Sequence, residues 1–133
     1  MIGDDATAPD GWRQIMRREG DVWTIVFAGR TCQLHDVRGL RYLAYLLVRP
    51  HQPIASTEID ACARAGRTRV PAVADPAIAR ERARVNVTRG LSAALRRLEP
   101  HHPELAQHLR ATLRAGAFCT YTPDPRLPAS WEP

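Results

Sequence analysis

The sequence predicts a mixed α+β fold with an N-terminal β-hairpin, three to four helices and a closing strand. Three observations predict it. Residues 21–27 (DVWTIVF) alternate apolar and polar, as a half-buried strand does. Residues 75–99 (DPAIARERARVNVTRGLSAALRRLE) repeat apolar residues at helical spacing between a capping signal and a proline. Residues 117–122 (AFCTYT) read as a strand set behind a glycine. At 133 residues, 44% hydrophobic and 25% charged, the chain is expected to be one globular domain with a modest core.

Taken in order, residues 1–20 begin acidic and read as a flexible N-terminal segment, in which Trp12 and Ile15 can dock as a short helix. The domain proper spans residues 21–122. In its hairpin Trp23, Ile25 and Phe27 share a face, Ala28-Gly29 supplies the turn, and residues 31–35 (TCQLH) return with Cys32 and Leu34 inward. Asp36 is placed to cap a helix whose Leu40, Leu43, Ala44 and Leu47 follow i, i+3, i+4, i+7 and which stops at Arg49-Pro50. Ile54 reads as a one-rung strand, and Ser56 caps a short helix closed by Gly66. A loop at 66–74 carries Arg67 and Arg69. Asp75 and Pro76 then open the long helix as N-cap and first helical residue. Residues 100–103 (PHHP) break the chain. Residues 104–114 follow as a helix with Leu105, Leu109 and Leu113 spaced by four, Gly116 ends it, and the tail 123–133 reads as irregular. No internal repeat is present.

The long helix separates into two faces when residues are placed at 100° intervals. Val87, Thr88, Leu91, Ala94, Leu95 and Leu98 form a core stripe. Arg82, Asn86, Arg89, Ala93, Arg96 and Arg97 form the opposite face. Arg80 and Arg84 fall on the core side, so the helix is expected to begin, kink or change partners near residue 85.

Charge is distributed unevenly. Residues 1–36 sum to −2, 37–63 to +1, 64–97 to +7 and 98–133 to −1, within a net charge of +5. A localised positive field attracts polyanions, which favours nucleic acid over a small acidic metabolite. The plain alternative is a solvated face, since every basic residue in the chain is arginine and coding bias alone could supply that.

Other functions find little support. No nucleophile elbow, P-loop or H-E-x-x-H motif is present, so no catalytic residue is assigned and the chain is not expected to be an enzyme. His101, His102 and His108 lack metal-site spacing, and a helix start flanked by prolines explains them better. No metal or other cofactor is expected. Cys32, Cys62 and Cys119 are widely spaced and odd in number, which suggests small buried hydrophobes. Trp23, Phe27, Tyr42, Tyr45, Phe118 and Tyr121 could stack on single-stranded bases, but their places in hairpin, helix and strand suit core packing. No run approaches membrane-spanning length and no signal pattern opens the chain, so the expected location is cytoplasmic.

The order of elements resembles the OmpR-type winged helix-turn-helix of bacterial response regulators. Residues 38–59 (RGLRYLAYLLVRPHQPIASTEI) look like that family's first helix, its turn and the start of its second helix. Residues 84–100 (RVNVTRGLSAALRRLEP) are similar to its recognition helix, and residues 109–121 (LRATLRAGAFCTY) to its wing, with Ala115-Gly116-Ala117-Phe118 at the hairpin turn. Residues 101–114 look more helical than a wing strand should. The ending Ala117 to Pro125 also resembles winged-helix tails of large bacterial ATPase-type regulators.

The first resemblance implies a bacterial transcriptional regulator that binds double-stranded DNA, with the long helix in the major groove. Arg82, Asn86 and Arg89 would face base edges and Ala93 would allow close approach. Arg96, Arg97, Arg67 and Arg69 would hold phosphates. The loop 66–74 would be a surface for RNA polymerase or another regulatory protein, and the reading admits a homodimer. The second resemblance implies the alternative, a protein–protein adaptor module of a bacterial regulatory complex.

Overall fold

The computed structural model describes residues 13–64, 75–124 and 130–133. Its architecture is mixed α+β, with four helices and two small antiparallel sheets among the described residues. The first sheet is a meander of β1 (Ile15–Glu19), β2 (Val22–Phe27) and β3 (Arg30–His35). Its register places Arg18, Trp23 and Leu34 in one cross-strand row and Met16, Ile25 and Cys32 in the next, so apolar side chains collect on one face. The β2–β3 connection is the two-residue turn Ala28-Gly29, with φ of 53° and 78°. Both values are positive, as a turn matching the strand twist requires.

The strand β1 stands where the sequence suggests a short helix near Ile15. Its residues Ile15 and Met16 are buried together and Arg17 to Glu19 are exposed, so no alternation marks it as a strand. The last four residues also differ from the irregular tail expected of them. Ile15 and Glu132 form a parallel bridge, the Met16 N–H donates to the Glu132 carbonyl at 2.9 Å, and Trp131 is buried with its ring stacked on Phe27.

Asp36 does not cap the next helix, α1 (Arg38–Leu47), whose N-cap residue is Val37 with no side-chain cap. The Asp36 carboxylate instead accepts from Trp23 Nε1 at 2.8 Å and from both sides of the Arg41 guanidinium. Helix α1 buries Leu40, Tyr42, Leu43, Leu46 and Leu47. Strand β4 (Ile54–Ala55) leads directly into α2 (Ser56–Arg64). The Ser56 hydroxyl, expected to cap that helix, donates to the Gly116 carbonyl, and its N–H donates to the Ala117 carbonyl at 2.9 Å.

Helix α3 (Pro76–Leu98) begins as expected, with the Asp75 carboxylate accepting the Ala77 N–H at 2.9 Å and Pro76 in the first turn. It runs unbroken through residue 85. Helix α4 (Pro103–Thr112) is capped by the buried His102, whose Nδ1 accepts the Leu105 N–H at 3.1 Å. Its Nε2 lies 2.9 Å from the Phe27 carbonyl, which can only accept, so Nε2 carries the hydrogen. Strands β5 (Leu113–Arg114) and β6 (Phe118–Tyr121) form a hairpin, and β6 also pairs with β4 to give the sheet order β4-β6-β5.

Helices α1, α2 and α3 pack around a core completed by Ile25, Leu105, Leu109 and Tyr121. The closest approach is between α1 and α3. A Cβ on Gly39 would lie 2.0 Å from the Gly90 carbonyl oxygen, and one on Gly90 would lie 2.6 Å from the Tyr42 ring. Only glycine admits that crossing.

Candidate nucleic-acid interface

The candidate surface lies on α3, and its position follows from which turns of the helix touch the core. Ala83, Val87, Leu91, Ala94 and Leu98 are buried, in steps of three or four. This is the predicted stripe, extended one turn toward the N-terminus. Thr88 and Leu95 flank it as half-buried residues, and the Thr88 hydroxyl is buried without a partner. No residue from Pro76 to Arg82 is buried, and Ile78 is 48% exposed.

This explains the two arginines that seemed misplaced on a helical wheel. Arg80 shares the angular position of the core stripe but precedes the core, and it is exposed. Arg84 is half-buried and paired with Glu81 one turn back. The Arg84 guanidinium holds the Glu81 carboxyl below the usual carboxylate range. Neither a kink nor a late start is needed.

On the other face Arg82, Arg89, Arg96 and Arg97 are exposed, while Asn86 and Ala93 are half-buried. Among the described residues none of these four arginines is ion-paired, and the Asn86 amide makes no hydrogen bond. At 1.5 Å per residue, Arg82 and Arg96 stand about 21 Å apart along the axis. Arg96 and Arg97 also sit in the last helical turn, where cations offset the carbonyl end of the helix dipole. The acid nearest in sequence, Glu99, pairs instead with Arg110 of α4 at 2.7 Å. Arg67 and Arg69 lie outside the described residues.

The hairpin β5–β6 supplies a second exposed element. It is fixed to the start of α2 by the two Ser56 hydrogen bonds and by the pairing of Ile54 with Cys119 and Ala55 with Phe118. Phe118, expected in the core, is 62% exposed, whereas Cys119 and Tyr121 on the alternate positions are buried. Arg114 is exposed on the adjoining strand. Strand alternation could have identified Phe118, because the inward pair Cys119 and Tyr121 forces Phe118 and Thr120 to the other face.

The remaining polar candidates are held inside the fold. His108 Nε2 lies 2.9 Å from the Tyr121 hydroxyl, which also accepts from Trp131 Nε1 at 3.2 Å. Burial pushes the His108 imidazole below its ordinary range. Tyr42, on the buried side of α1, donates to Asp60, and its burial pushes the phenol up. Among the described residues no group of three His, Cys, Asp or Glu side chains is placed to hold a metal ion. Cys32 is half-buried, Cys119 buried and Cys62 exposed, all three free thiols, so the cysteines are not uniformly core residues. Among the described residues no helix is long and apolar enough to cross a membrane.

Compared with protein families, curated proteins and solved structures, the chain matches none.

Proposed function

We propose that the chain is a DNA-binding module of winged helix-turn-helix type, with α2 and α3 as the helix-turn-helix and β5–β6 as the wing. One observation carries the reading. Helix α3 buries one face and presents Arg82, Arg89, Arg96 and Arg97 on the other, exposed and without acidic partners among the described residues. Guanidinium groups in that state are free to pair with guanine edges or phosphates. The half-buried Ala93 between them lets the helix backbone come close to a groove wall. Helix α4, interposed between α3 and the hairpin, distinguishes this chain from the OmpR-type order its sequence resembles. The setting proposed is transcriptional regulation in a bacterial cytoplasm.

The test is the salt dependence of binding to duplex DNA. With about five phosphate contacts, log K should fall with log salt at a slope near about −4.5. Random duplex should bind detectably at ~150 mM salt, with Kd in the range of about 10⁻⁴–10⁻⁶ M. A flat salt response, or no binding to random duplex, removes the electrostatic account and leaves the adaptor reading.

A further inference from the structure

A second arginine-lined surface lies away from α3. An open groove of about 450 Å³ runs between β1, the C-terminal half of α1 and the end of α2. Every charged side chain lining it is an arginine, namely Arg17, Arg18, Arg41 and Arg49, and no residue of α3 takes part. Its remaining lining is mostly apolar, and Val48 is 41% exposed within it. That volume suits a few large side chains.

The four arginines are not equivalent. Arg41 and Arg18 both pair with Asp36, which lies behind the groove wall. Arg49 lies over the Tyr45 ring, its Cζ 3.7 Å from the centroid, and its Nη1 donates to the Tyr45 carbonyl at 3.0 Å. Tyr45 is itself tethered through its hydroxyl to Glu58. Arg17, on β1, donates from Nε to the main-chain oxygen of Pro133 at 3.3 Å. Two guanidiniums thus line the groove, one from β1 and one from the end of α1, each with hydrogens left over for a further acceptor. Because both already hold an intramolecular contact, meeting a ligand carboxylate would cost these arginines less side-chain entropy than it would cost free ones.

We propose that this groove docks an acidic segment of a partner protein, anchored by one or two large apolar side chains. Charge complementarity selects the acid, since every charged side chain in the lining is an arginine and, of these, Asp36 answers only Arg18 and Arg41. The apolar floor selects a peptide over a nucleic-acid backbone, which has nothing to place against Val48 and Met16. The surface is separate from the DNA face, so either reading can fail without the other.

Fluorescence polarisation on the full chain tests it, with a labelled peptide that alternates Asp and Glu with Leu and Phe. The expected result is saturable binding that weakens by about tenfold or more in the Arg17→Gln/Arg49→Gln double variant. It should weaken comparably when the peptide acids are replaced by Asn and Gln, and stay unchanged in Arg82→Ala/Arg89→Ala/Arg96→Ala. Val48→Ser, which removes apolar floor and leaves charge untouched, gives an independent reading should the double variant melt early by circular dichroism. The proposal is overturned if the peptide does not bind or if neither variant weakens it. It is equally overturned if Arg17→Gln/Arg49→Gln weakens duplex DNA binding as much as the α3 triple variant does, which would make the groove a phosphate contact.

Discussion

Two sets of arginines in this molecule are arranged in opposite ways. Around Asp36, Arg41 and Arg18 converge on one carboxylate that also takes a hydrogen bond from Trp23, and the result ties the first sheet to α1. Along α3, Arg82, Arg89, Arg96 and Arg97 face outward with no carboxylate paired to them among the described residues. The side chain is the same and its physical role is set by its surroundings. A half-buried guanidinium locked by a carboxylate is part of the fold, whereas an open one contributes little to stability and keeps its donors for a ligand. Counting arginines therefore says little until each has been assigned to one set or the other.

The comparison is broken most directly by deleting the open set. Replacing Arg82, Arg89 and Arg96 together with alanine should lower duplex affinity by about a thousandfold, taking about 1–3 kcal/mol per contact. The same variant should shift unfolding free energy by less than about 0.5 kcal/mol. A large loss of stability in a denaturant titration would place these arginines in the structural set.

Asp36→Asn probes the other set. It should cost about 2 kcal/mol of stability through weakened charge-assisted hydrogen bonds, while the folded protein keeps its DNA affinity. Acid titration sharpens this result. The hydrogen bonds from Arg41, then Trp23, with the Arg41 and Arg18 charges, lower the Asp36 pKa from 3.8 to about 2 against the opposing effect of burial. A depressed carboxyl pKa stabilises the fold above the unfolded value and loses that contribution as pH falls through the folded one. Thermal melts should show stability declining between about pH 4 and pH 2 in the wild type. That part of the decline should be missing in Asp36→Asn.

Much of this was legible in the sequence, and the boundary of legibility is physical. The limits of α3 could be read because Asp75, Pro76 and the spacing from Val87 to Leu98 are local signals. The same holds for the β2–β3 hairpin with its Ala28-Gly29 turn. The role of Asp36 could not be read, because its partner Trp23 is thirteen residues away and the local pattern resembles a helix cap. Strand β1 was hidden for a similar reason. It becomes a strand by pairing with β2 and with the bridge to Glu132, and nothing in its own five residues announces that. On α3 the faces were legible, but the exposure of Arg80 was not, since a helical wheel does not show where the core ends.

The smallest expected effect lies on α3 itself, where Arg84, off the outward row, is tied to an acid. Glu81→Gln releases Arg84 from its i, i+3 partner and should tighten binding to random duplex by about two- to threefold, steepening the salt slope by up to about one contact. Stability should hardly move, because the pair is open to solvent on one side and separated by a single helical turn. An unchanged affinity in a fluorescence titration would mean that Arg84 points away from the ligand whether paired or not.

The crossing of α1 and α3 at Gly39 and Gly90 sets how far the guanidinium row protrudes. Backbone rests on backbone there, so α3 is seated as deep as two helices allow. A single methyl group at either position would wedge the rod outward and carry every side chain on it along. The height of this row above the core is thus gauged from inside the molecule, by two residues that carry no side chain of their own.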